Sequence, residues 1–281
     1  MNDASISPSR TVAVVGLGKI GLPLAVQYAR SGLGVIGIDI DERVVESVND
    51  RRAPFPGEAH LDEYLGAVID AKRLRATTDA AAAVAGARTV VVVVPLVVDG
   101  AGVPDFRAMD AATASVGAAM QPGTLVLYET TLPVHTTRRR FAPALERASG
   151  LSCGKDFHVA FSPERVYSGR IFTDLRRYPK LVGGLDAEAT RRAVEFYSTA
   201  LQFDNRSDLD QPNGVWDLGS AEAAELSKLA ETTYRDINIA FANELAVFSE
   251  SAGIDVFKVI AAANSQPFSH IHQPGVAVGG H

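Results

Sequence analysis

The segment from Thr11 to Ala25, Thr-Val-Ala-Val-Val-Gly-Leu-Gly-Lys-Ile-Gly-Leu-Pro-Leu-Ala, constrains the fold of this chain more than any other segment. An apolar, β-branched run ends at Gly16. Gly16, Gly18 and Gly21 then follow the G-x-G-x-x-G spacing before a helical apolar pattern resumes. In that setting the first glycine permits a tight turn, the second lets a pyrophosphate approach the backbone, and the third lets the helix pack against the strand. The segment predicts a strand–turn–helix unit whose helix N-terminus faces the phosphates of a dinucleotide. A turn that binds no ligand would use the same glycines, so this interpretation depends on the rest of the chain.

The next apolar run, residues 34–39, ends in a carboxylate. Asp39 lies 18 residues beyond Gly21, close to the roughly 20 expected of the residue that bonds an adenosine ribose 2′-hydroxyl. A carboxylate at this position repels a 2′-phosphate, so the spacing favours NAD over NADP. The alternative is that Asp39 only caps the helix predicted at 41–49, and Arg43 places a cation near the same position.

Further strand-like runs alternate with helical segments. The strands are predicted at 89–96, 125–131, 157–162 and 180–183, and the helices at 106–120, 136–149 and 187–201. The strands are apolar throughout, as expected when helices cover both faces of a sheet. The pattern predicts an α/β fold with a doubly wound parallel Rossmann sheet. Ligands of such sheets gather at the carboxyl ends of the strands, which here are residues 95–99, 129–133 and 162–169.

The last third of the chain has a different character. Residues 204–218 are rich in Asp, Asn, Pro and Gly and read as a linker, whereas 220–253 contain no proline or internal glycine. The second half of this long helix is apolar on nearly all sides, which predicts a helix that is buried all round, bridging two domains or packing against a second copy. We therefore predict a disordered N-terminus (1–10), an NAD-binding Rossmann domain (11–205), and a linker with a central helical dimerisation region (206–281).

Composition excludes several classes of partner and site. The net charge of −6 disfavours nucleic acid and anionic membranes, and the longest strongly apolar run, 90–98, is far shorter than the roughly 18 residues of a membrane helix. Cys153 is the only cysteine, which excludes an internal disulfide and indicates a reducing cytoplasm. The histidines at 270, 272 and 281 have no carboxylate or cysteine at ligand spacing, so we predict no metal site.

Three groups of polar residues can carry chemistry. Ser162-Pro-Glu-Arg165 directly follows a strand, so Glu164 can act as a general base or orient water, and Arg165 can bind a phosphate or sugar oxygen. A surface ion pair is the alternative there. Thr131 ends another strand at the same edge, although strand propensity alone also explains it. Lys228 on the long helix either forms solvated salt bridges or stabilises a developing alkoxide.

Together these motifs resemble those of the UDP-glucose/GDP-mannose dehydrogenase family of nucleotide-sugar dehydrogenases, from Thr11 to His281. The segments that carry the resemblance are the glycine motif, Glu-Thr-Thr-Leu-Pro133, Ser-Pro-Glu-Arg-Val166, Glu225-Leu-Ser-Lys-Leu229, Tyr-Arg-Asp-Ile-Asn-Ile-Ala-Phe-Ala-Asn-Glu244 and Pro274-Gly-Val-Ala-Val-Gly-Gly-His281. The Ser-Pro-Glu-Arg and Gly-Gly-His segments are similar to those of bacterial members that act on UDP-N-acetylhexosamines.

The resemblance implies an NAD-dependent enzyme of polysaccharide biosynthesis that oxidises the C6 hydroxymethyl of a UDP-sugar to a carboxylate. It implies that Lys228 steadies the alkoxide, that Glu164 handles water in the hydrolytic step, and that Thr131 orders the site near the nicotinamide. It also implies a homodimer through the 220–253 helix. The expected cofactor-binding residues are Gly16, Gly18, Lys19, Ile20, Gly21, Asp39, Arg43, Pro95 and Thr131. The expected substrate-binding residues are Glu164, Arg165, Val166, Lys228, Thr232, Arg235, Gly275 and Gly279, with Arg235 reaching across the dimer.

The sequence departs from the family pattern in three places. The family's catalytic cysteine directly follows Gly-Gly-His281, so we expect a truncated chain that lacks the thiol for a covalent second oxidation and lacks the C-terminal nucleotide-binding domain. Thr232 replaces an asparagine, and Leu96-Val97 replaces Thr-Pro. The expected fragment is inactive or impaired. The alternatives are a non-catalytic NAD-binding dimeric module and a 3-hydroxyacid dehydrogenase-like enzyme.

Overall fold

The computed structural model describes residues 11–276, and the chain forms two units, one up to Glu225 and one from Leu226 onward. The disorder predicted for residues 1–10 lies outside the described residues, and so does the Gly-Gly-His motif with Gly279.

The first unit contains a sheet whose strands match most of the predicted runs. These strands are β1 (Thr11–Val15), β2 (Gly34–Ile38), β3 (Leu74–Thr77), β4 (Thr89–Val92), β7 (Leu125–Tyr128), β8 (His158–Phe161), β9 (Lys180–Gly184) and β10 (Val215–Asp217), and a separate hairpin consists of β5 (Val97–Val98) and β6 (Pro104–Asp105). The strand order is β10-β9-β8-β7-β4-β1-β2-β3. Strands β3, β2, β1, β4, β7 and β8 are parallel, which confirms the predicted α/β Rossmann sheet.

The two strands at one edge differ from the prediction. β9 pairs antiparallel with β8, and β10 pairs parallel with β9. Phe161 near the end of β8 lies opposite Gly183 near the end of β9, so β9 begins beyond the carboxyl end of β8. The first residue of β9, Lys180, therefore lies at the carboxyl edge of the parallel strands. β10 falls inside the stretch whose composition indicates a linker, because a three-residue strand is too short to show a periodicity.

Helices cover both faces of this sheet. They are α1 (Gly21–Arg30), α2 (Glu42–Asn49), α3 (Leu61–Asp70), α4 (Ala80–Ala85), α5 (Arg107–Ala119), α6 (Ala142–Ser149), α7 (Ile171–Arg177) and α8 (Ala187–Ala200). Aspartates at 41, 79 and 186 cap three of them, each side chain accepting an N–H of the first turn. A π-helical turn, Thr137–Phe141, precedes α6. Pro143 cannot donate to the Arg139 carbonyl, which is one reason that the α-helical pattern is interrupted there.

Apolar side chains fill a core on each face of the sheet. One core surrounds Tyr28 and the inner face of α1, and the other surrounds Tyr128 and Phe141, whose rings stack 4.5 Å apart. Burial on both faces explains why the strands are apolar without alternation. Residues 11–276 contain no helix that is both long and apolar enough to span a membrane.

The second unit consists mainly of α9 (Ala221–Ser251), whose first residues belong to the first unit, and α10 (Val256–Ala263). The second half of α9 is only partly buried within the single chain, so the prediction that it is buried all round, against another domain or a second copy, stays a prediction. Ile239 and Ala242 are buried, but Ile237, Phe241 and Phe248 are 64, 51 and 67% exposed. These three positions are separated by four and seven residues and share one face of the helix.

Asparagine side chains hold the segment that follows α10. An amide side chain carries both an N–H donor and a carbonyl acceptor, so it can pair with backbone as a strand edge does. Three asparagines of the second unit each accept a backbone N–H and donate to a backbone carbonyl: Asn238 with His272 and His270, Asn243 with Gly275, and Asn264 with Ile271.

We expect Gly183→Ala to destabilise the first unit, because its new Cβ would lie 1.9 Å from the Ser220 carbonyl oxygen. Overpacking of this kind costs about 1–3 kcal/mol or more. Gly66→Ala in α3 is the matched control. A Cβ there would meet no described atom within 4 Å beyond its own helix and chain neighbours, and alanine is favoured over glycine in a helix by about 0.5–1 kcal/mol. Thermal unfolding followed by circular dichroism should therefore move in opposite directions for the two variants. A Gly183→Ala variant as stable as the unmodified chain would contradict the close packing.

Candidate active site

The glycine turn has the geometry that the motif predicts. Gly16 has a φ of +94°, a conformation that side chains disfavour, and its N–H donates to the Ile38 carbonyl. A Cβ at Gly21 would lie 1.9 Å from the Gly16 carbonyl oxygen, so α1 can begin this close to β1 only with glycine. A Cβ at Gly18 would meet no described atom within 4 Å apart from its chain neighbours, which leaves space above the turn. The turn therefore fits the pyrophosphate of a dinucleotide.

The residues beside this turn leave the N-terminus of α1 accessible. Lys19 is exposed, and Ile20 is the N-cap residue of α1 and offers no side-chain acceptor to the first N–H groups. The positive end of the helix dipole favours an anion at this position.

Asp39 is tied to the glycine turn. Its Oδ2 accepts the Leu17 N–H at 2.8 Å and its Oδ1 accepts the Asp41 N–H at 3.0 Å. The alternative that Asp39 caps the next helix is wrong, because Asp41 caps α2. Arg43 donates to the Asp41 carboxylate through both Nε and Nη2, so its guanidinium is paired with an acid beside Asp39.

Residues beyond the ends of two neighbouring strands lie at this edge of the sheet. Pro95 and Thr131 are exposed beyond the ends of β4 and β7. Thr130 is oriented differently, since its hydroxyl donates to the Val94 carbonyl at 2.7 Å and links the two strand ends.

A buried cluster of ionisable side chains adjoins the loop after β8. Lys180 Nζ lies 2.6 Å from Glu129 Oε2 and 2.9 Å from Glu164 Oε2. The phenols of Tyr28 and Tyr197 donate to the other oxygen of Glu129, at 2.9 and 2.8 Å. The predicted Glu164 is thus part of a network built from α1, β7, β8, β9 and α8.

Burial and the opposite charges act against each other on the pKa values of this network. Burial would lower the pKa of Lys180, but the carboxylates of Glu129 and Glu164 outweigh it and raise that pKa. Burial raises the pKa of Glu129 despite Lys180. For Glu164 burial acts in the same direction, but the Lys180 ammonium and the Arg165 N–H outweigh it, so the pKa lies below the ordinary value. Burial raises the pKa of both tyrosines and keeps them protonated donors.

The sequence motifs assign no role to Lys180, Glu129 or the two tyrosines. The available sequence signal is a charged residue at the boundary of an apolar strand. Glu129 directly follows one such strand, and Lys180 begins another. The signal does not identify their partners.

The loop that carries Glu164 is fixed at several points. The Glu164 N–H donates to the Glu129 carbonyl, and the half-buried Val166 packs against the core around α1. Glu58 accepts the N–H groups of Gly169 and Ile171 at 2.6 and 2.7 Å and so holds the far end of the loop. Arg165 Nη1 lies 3.4 Å from the Pro179 carbonyl oxygen.

The remaining expected site residues lie in the second unit. Lys228 and Arg235 are half-buried on α9, and Gly275 is exposed and held by Asn243. The Thr232 hydroxyl donates to carbonyls of its own helix, those of Lys228 and Leu229. Gly279 lies outside the described residues.

Glu225 does not form a solvent-exposed salt bridge on the long helix. Its buried carboxylate accepts the N–H groups of His135 and Thr137 and the Thr137 hydroxyl, at 2.6–2.9 Å. It therefore fastens the start of α9 to the π-helical turn.

Two further observations concern the single cysteine and metal binding. Burial raises the pKa of Cys153 to about 11, which leaves little thiolate at neutral pH and suits an inert thiol. Within residues 11–276, no three His, Cys, Asp or Glu side chains are grouped so that they could hold a metal ion.

Comparison with known proteins extends this description. Residues 10–201 match the NAD binding domain of the UDP-glucose/GDP-mannose dehydrogenase family, and residues 222–281 match its central domain. The sheet and glycine turn thus define a Rossmann domain of the NAD-binding class. The chain belongs to the UDP-glucose/GDP-mannose dehydrogenase family.

The relatives that match over most of this chain include nucleotide-sugar dehydrogenases. The chain is 37% identical over 270 residues to UDP-N-acetyl-D-mannosamine dehydrogenase of Pyrococcus horikoshii, covering 96% of this chain and 61% of that protein. A solved structure of UDP-D-ManNAc dehydrogenase from that organism matches with a TM-score of 0.86 and 35% identity, covering 96% and 61% of the two chains. NDP-N-acetyl-D-galactosaminuronic acid dehydrogenase of Ralstonia solanacearum is 34% identical, covering 97% and 62%. The chain thus spans about three-fifths of the length of these relatives.

A 3-hydroxyisobutyrate dehydrogenase of Mycobacterium tuberculosis also matches, with a TM-score of 0.65 and 17% identity, covering 93% of this chain and 72% of that one. At that identity the likeness concerns the fold alone. The alternative of a 3-hydroxyacid dehydrogenase thus shares the architecture, whereas the family matches above are with nucleotide-sugar dehydrogenases.

We expect Asp39→Ala to weaken NAD binding by roughly 1–3 kcal/mol, because a charged hydrogen-bond partner of the ribose is removed. Isothermal titration calorimetry with NAD and NADP measures the change, and the unmodified chain should prefer NAD. Asp186→Ala is the control. It removes the carboxylate that caps α8, and should lower stability without changing NAD affinity. Equal affinity of the unmodified chain for NAD and NADP would contradict the ribose assignment.

Proposed function

We propose that this chain contains the cofactor-binding and central portions of an NAD-dependent nucleotide-sugar 6-dehydrogenase. The reaction oxidises the C6 hydroxymethyl of a UDP-sugar to a carboxylate and reduces two NAD, and a UDP-N-acetylhexosamine is the favoured substrate. The observation that carries the proposal is the Glu164 carboxylate, held by Lys180 at the same sheet edge as the glycine turn. The relatives named above support the substrate class.

NAD, when bound, supplies the hydride acceptor. The positive end of α1 and the space above Gly18 receive its phosphates, and Asp39 receives the adenosine ribose. Thr131 lies exposed beyond the end of β7, where it can help to order the nicotinamide side of the site.

The sugar chemistry needs a proton acceptor and an oxyanion stabiliser. Loss of hydride from C6 requires the hydroxyl proton to leave, and hydration of the resulting aldehyde requires a positioned water. An ionised Glu164 can hold that water and accept a proton. We assign to the Lys228 ammonium the stabilisation of the alkoxide, and to Arg165, Val166, Thr232, Arg235, Gly275 and Gly279 the contacts with the nucleotide sugar.

Assembly into a homodimer through α9 is the second part of the proposal. Ile237, Phe241 and Phe248 expose a shared apolar face, and Phe257 of α10 is also exposed. Exposed apolar surface of this extent is typical of a protein interface, and a second copy offers the same face in return.

The function is tested by titrating the 281-residue chain with NAD and then with a panel of UDP- and GDP-sugars. We expect NAD binding, and tighter binding of UDP-N-acetylhexosamines than of GDP-mannose. NADH formation, followed by absorbance, reports turnover in the same samples. NAD binding with no binding of any sugar nucleotide would instead favour the non-catalytic NAD-binding module, and absence of NAD binding by the folded chain would overturn the proposal.

We expect Phe241→Glu to abolish the dimer, because a charge placed in an apolar interface must be buried without a partner. Sedimentation velocity should give a dimer for the unmodified chain and a monomer for the variant. Val98→Glu, at an exposed apolar position of the β5–β6 hairpin, is the control and should remain dimeric. A monomeric unmodified chain at micromolar concentration would refute the assembly.

A further inference from the structure

The buried cluster contains two charged side chains, Glu129 and Lys180, in addition to Glu164. The side chains of Glu129, Lys180 and Glu164 are 0, 4 and 10% exposed. Two carboxylates face one ammonium, so the group carries a formal charge of −1 in a region with little water. Burying such charges costs several kcal/mol each unless hydrogen bonds and opposite charges compensate for the lost hydration.

The two carboxylates differ in what they contact. Both oxygens of Glu129 are occupied, one by the phenols of Tyr28 and Tyr197 and the other by Lys180. Glu164 uses Oε2 for Lys180 and Oε1 for the Arg165 N–H. Glu164 is also the most exposed of the three charged side chains. Glu129 is therefore arranged to hold Lys180, and Glu164 to meet a ligand.

The direction of β9 makes this arrangement possible. Lys180 begins β9, which runs antiparallel to β8, so its side chain enters the cluster from the strand next to the Glu164 loop. The ammonium also lies 4.8 Å from the centre of the Tyr197 ring, which adds a cation–π contact. These contacts restrict the ammonium to one position between the two carboxylates.

We propose that Lys180 and Glu129 are positioning residues for Glu164. Glu129 and the two phenols fix the ammonium, and the ammonium fixes the Glu164 carboxylate in one orientation and in its ionised form. Glu164 is then ready to accept a proton from a bound hydroxyl or water. The role of this arrangement in catalysis rests on the proposed function, but the ionisation of the Glu164 carboxyl group can be measured without any ligand.

Four elements around Lys180 contribute groups to the balance. Tyr28 comes from α1, Glu129 from the end of β7, Glu164 with Arg165 from the loop after β8, and Tyr197 from α8. The lowered pKa of Glu164 beside the raised pKa of Glu129 agrees with these different roles.

The experiment is a pH titration of the full chain labelled with 13C at the glutamate carboxyl carbons, followed by NMR. Glu164→Gln identifies the Glu164 resonance by its loss. The main variant combines Lys180→Met with Glu129→Gln, which removes the buried pair together and leaves an oxygen acceptor for the two phenols. We expect the Glu164 titration to move upward by about 1 pH unit or more, as for a carboxylate that loses an adjacent cation.

Two further variants separate positioning from structural support. Lys180→Arg retains the cation and should restore most of the original titration, and Lys155→Met removes an exposed lysine elsewhere and should leave it unchanged. A folded double variant with an unmoved Glu164 titration would overturn the proposal, even if its melting temperature falls. Failure to bind any sugar nucleotide would refute the proposed function and leave this titration unaffected.

Discussion

The ion pair between Lys180 and Glu129 is the interaction on which the candidate site depends. It joins the antiparallel strand β9 to the end of β7, and the phenols of Tyr28 and Tyr197 extend it to helices on the sheet. Breaking a buried pair leaves an uncompensated charge, so each partner requires the other. Through Lys180 the same pair reaches Glu164, which links the core of the Rossmann unit to the loop proposed to carry the chemistry.

Close backbone packing is the second constraint, and glycine provides it at two places. Gly21 lets α1 begin against the turn at Gly16, and Gly183 lets the start of α9 lie against β9. In both cases a methyl group would occupy the position of a carbonyl oxygen. One contact shapes the dinucleotide turn, and the other sets where the long helix leaves the sheet.

Polar and apolar residues of α9 in the second unit have different roles. The asparagines at 238 and 243 hold the following segment through backbone hydrogen bonds. The face that carries Ile237, Phe241 and Phe248 is apolar and exposed. The apolar pattern of α9 therefore does not describe burial within one chain. Periodicity alone cannot distinguish a core within the chain from an interface between chains.

The parts of the fold that could be predicted from the sequence are those that depend on local spacing. Apolar strands, caps and glycine turns are properties of short segments, so the Rossmann class, the NAD-type turn and most strand positions followed from them. The three-residue strand β10 and the opposite direction of β9 did not, because neither leaves a periodic signal. The family resemblance rested likewise on contiguous motifs, and the comparisons confirm it.

Glu164 shows what the sequence determines and what depends on the tertiary structure. The sequence by itself determined that a glutamate follows β8 at the ligand edge of the sheet, since that depends only on chain order. Only the tertiary structure decided that this glutamate shares Lys180 with Glu129, because the three residues lie in different segments of the chain, 16 to 51 positions apart. The antiparallel direction of β9 brings them together, and burial makes their charges depend on one another.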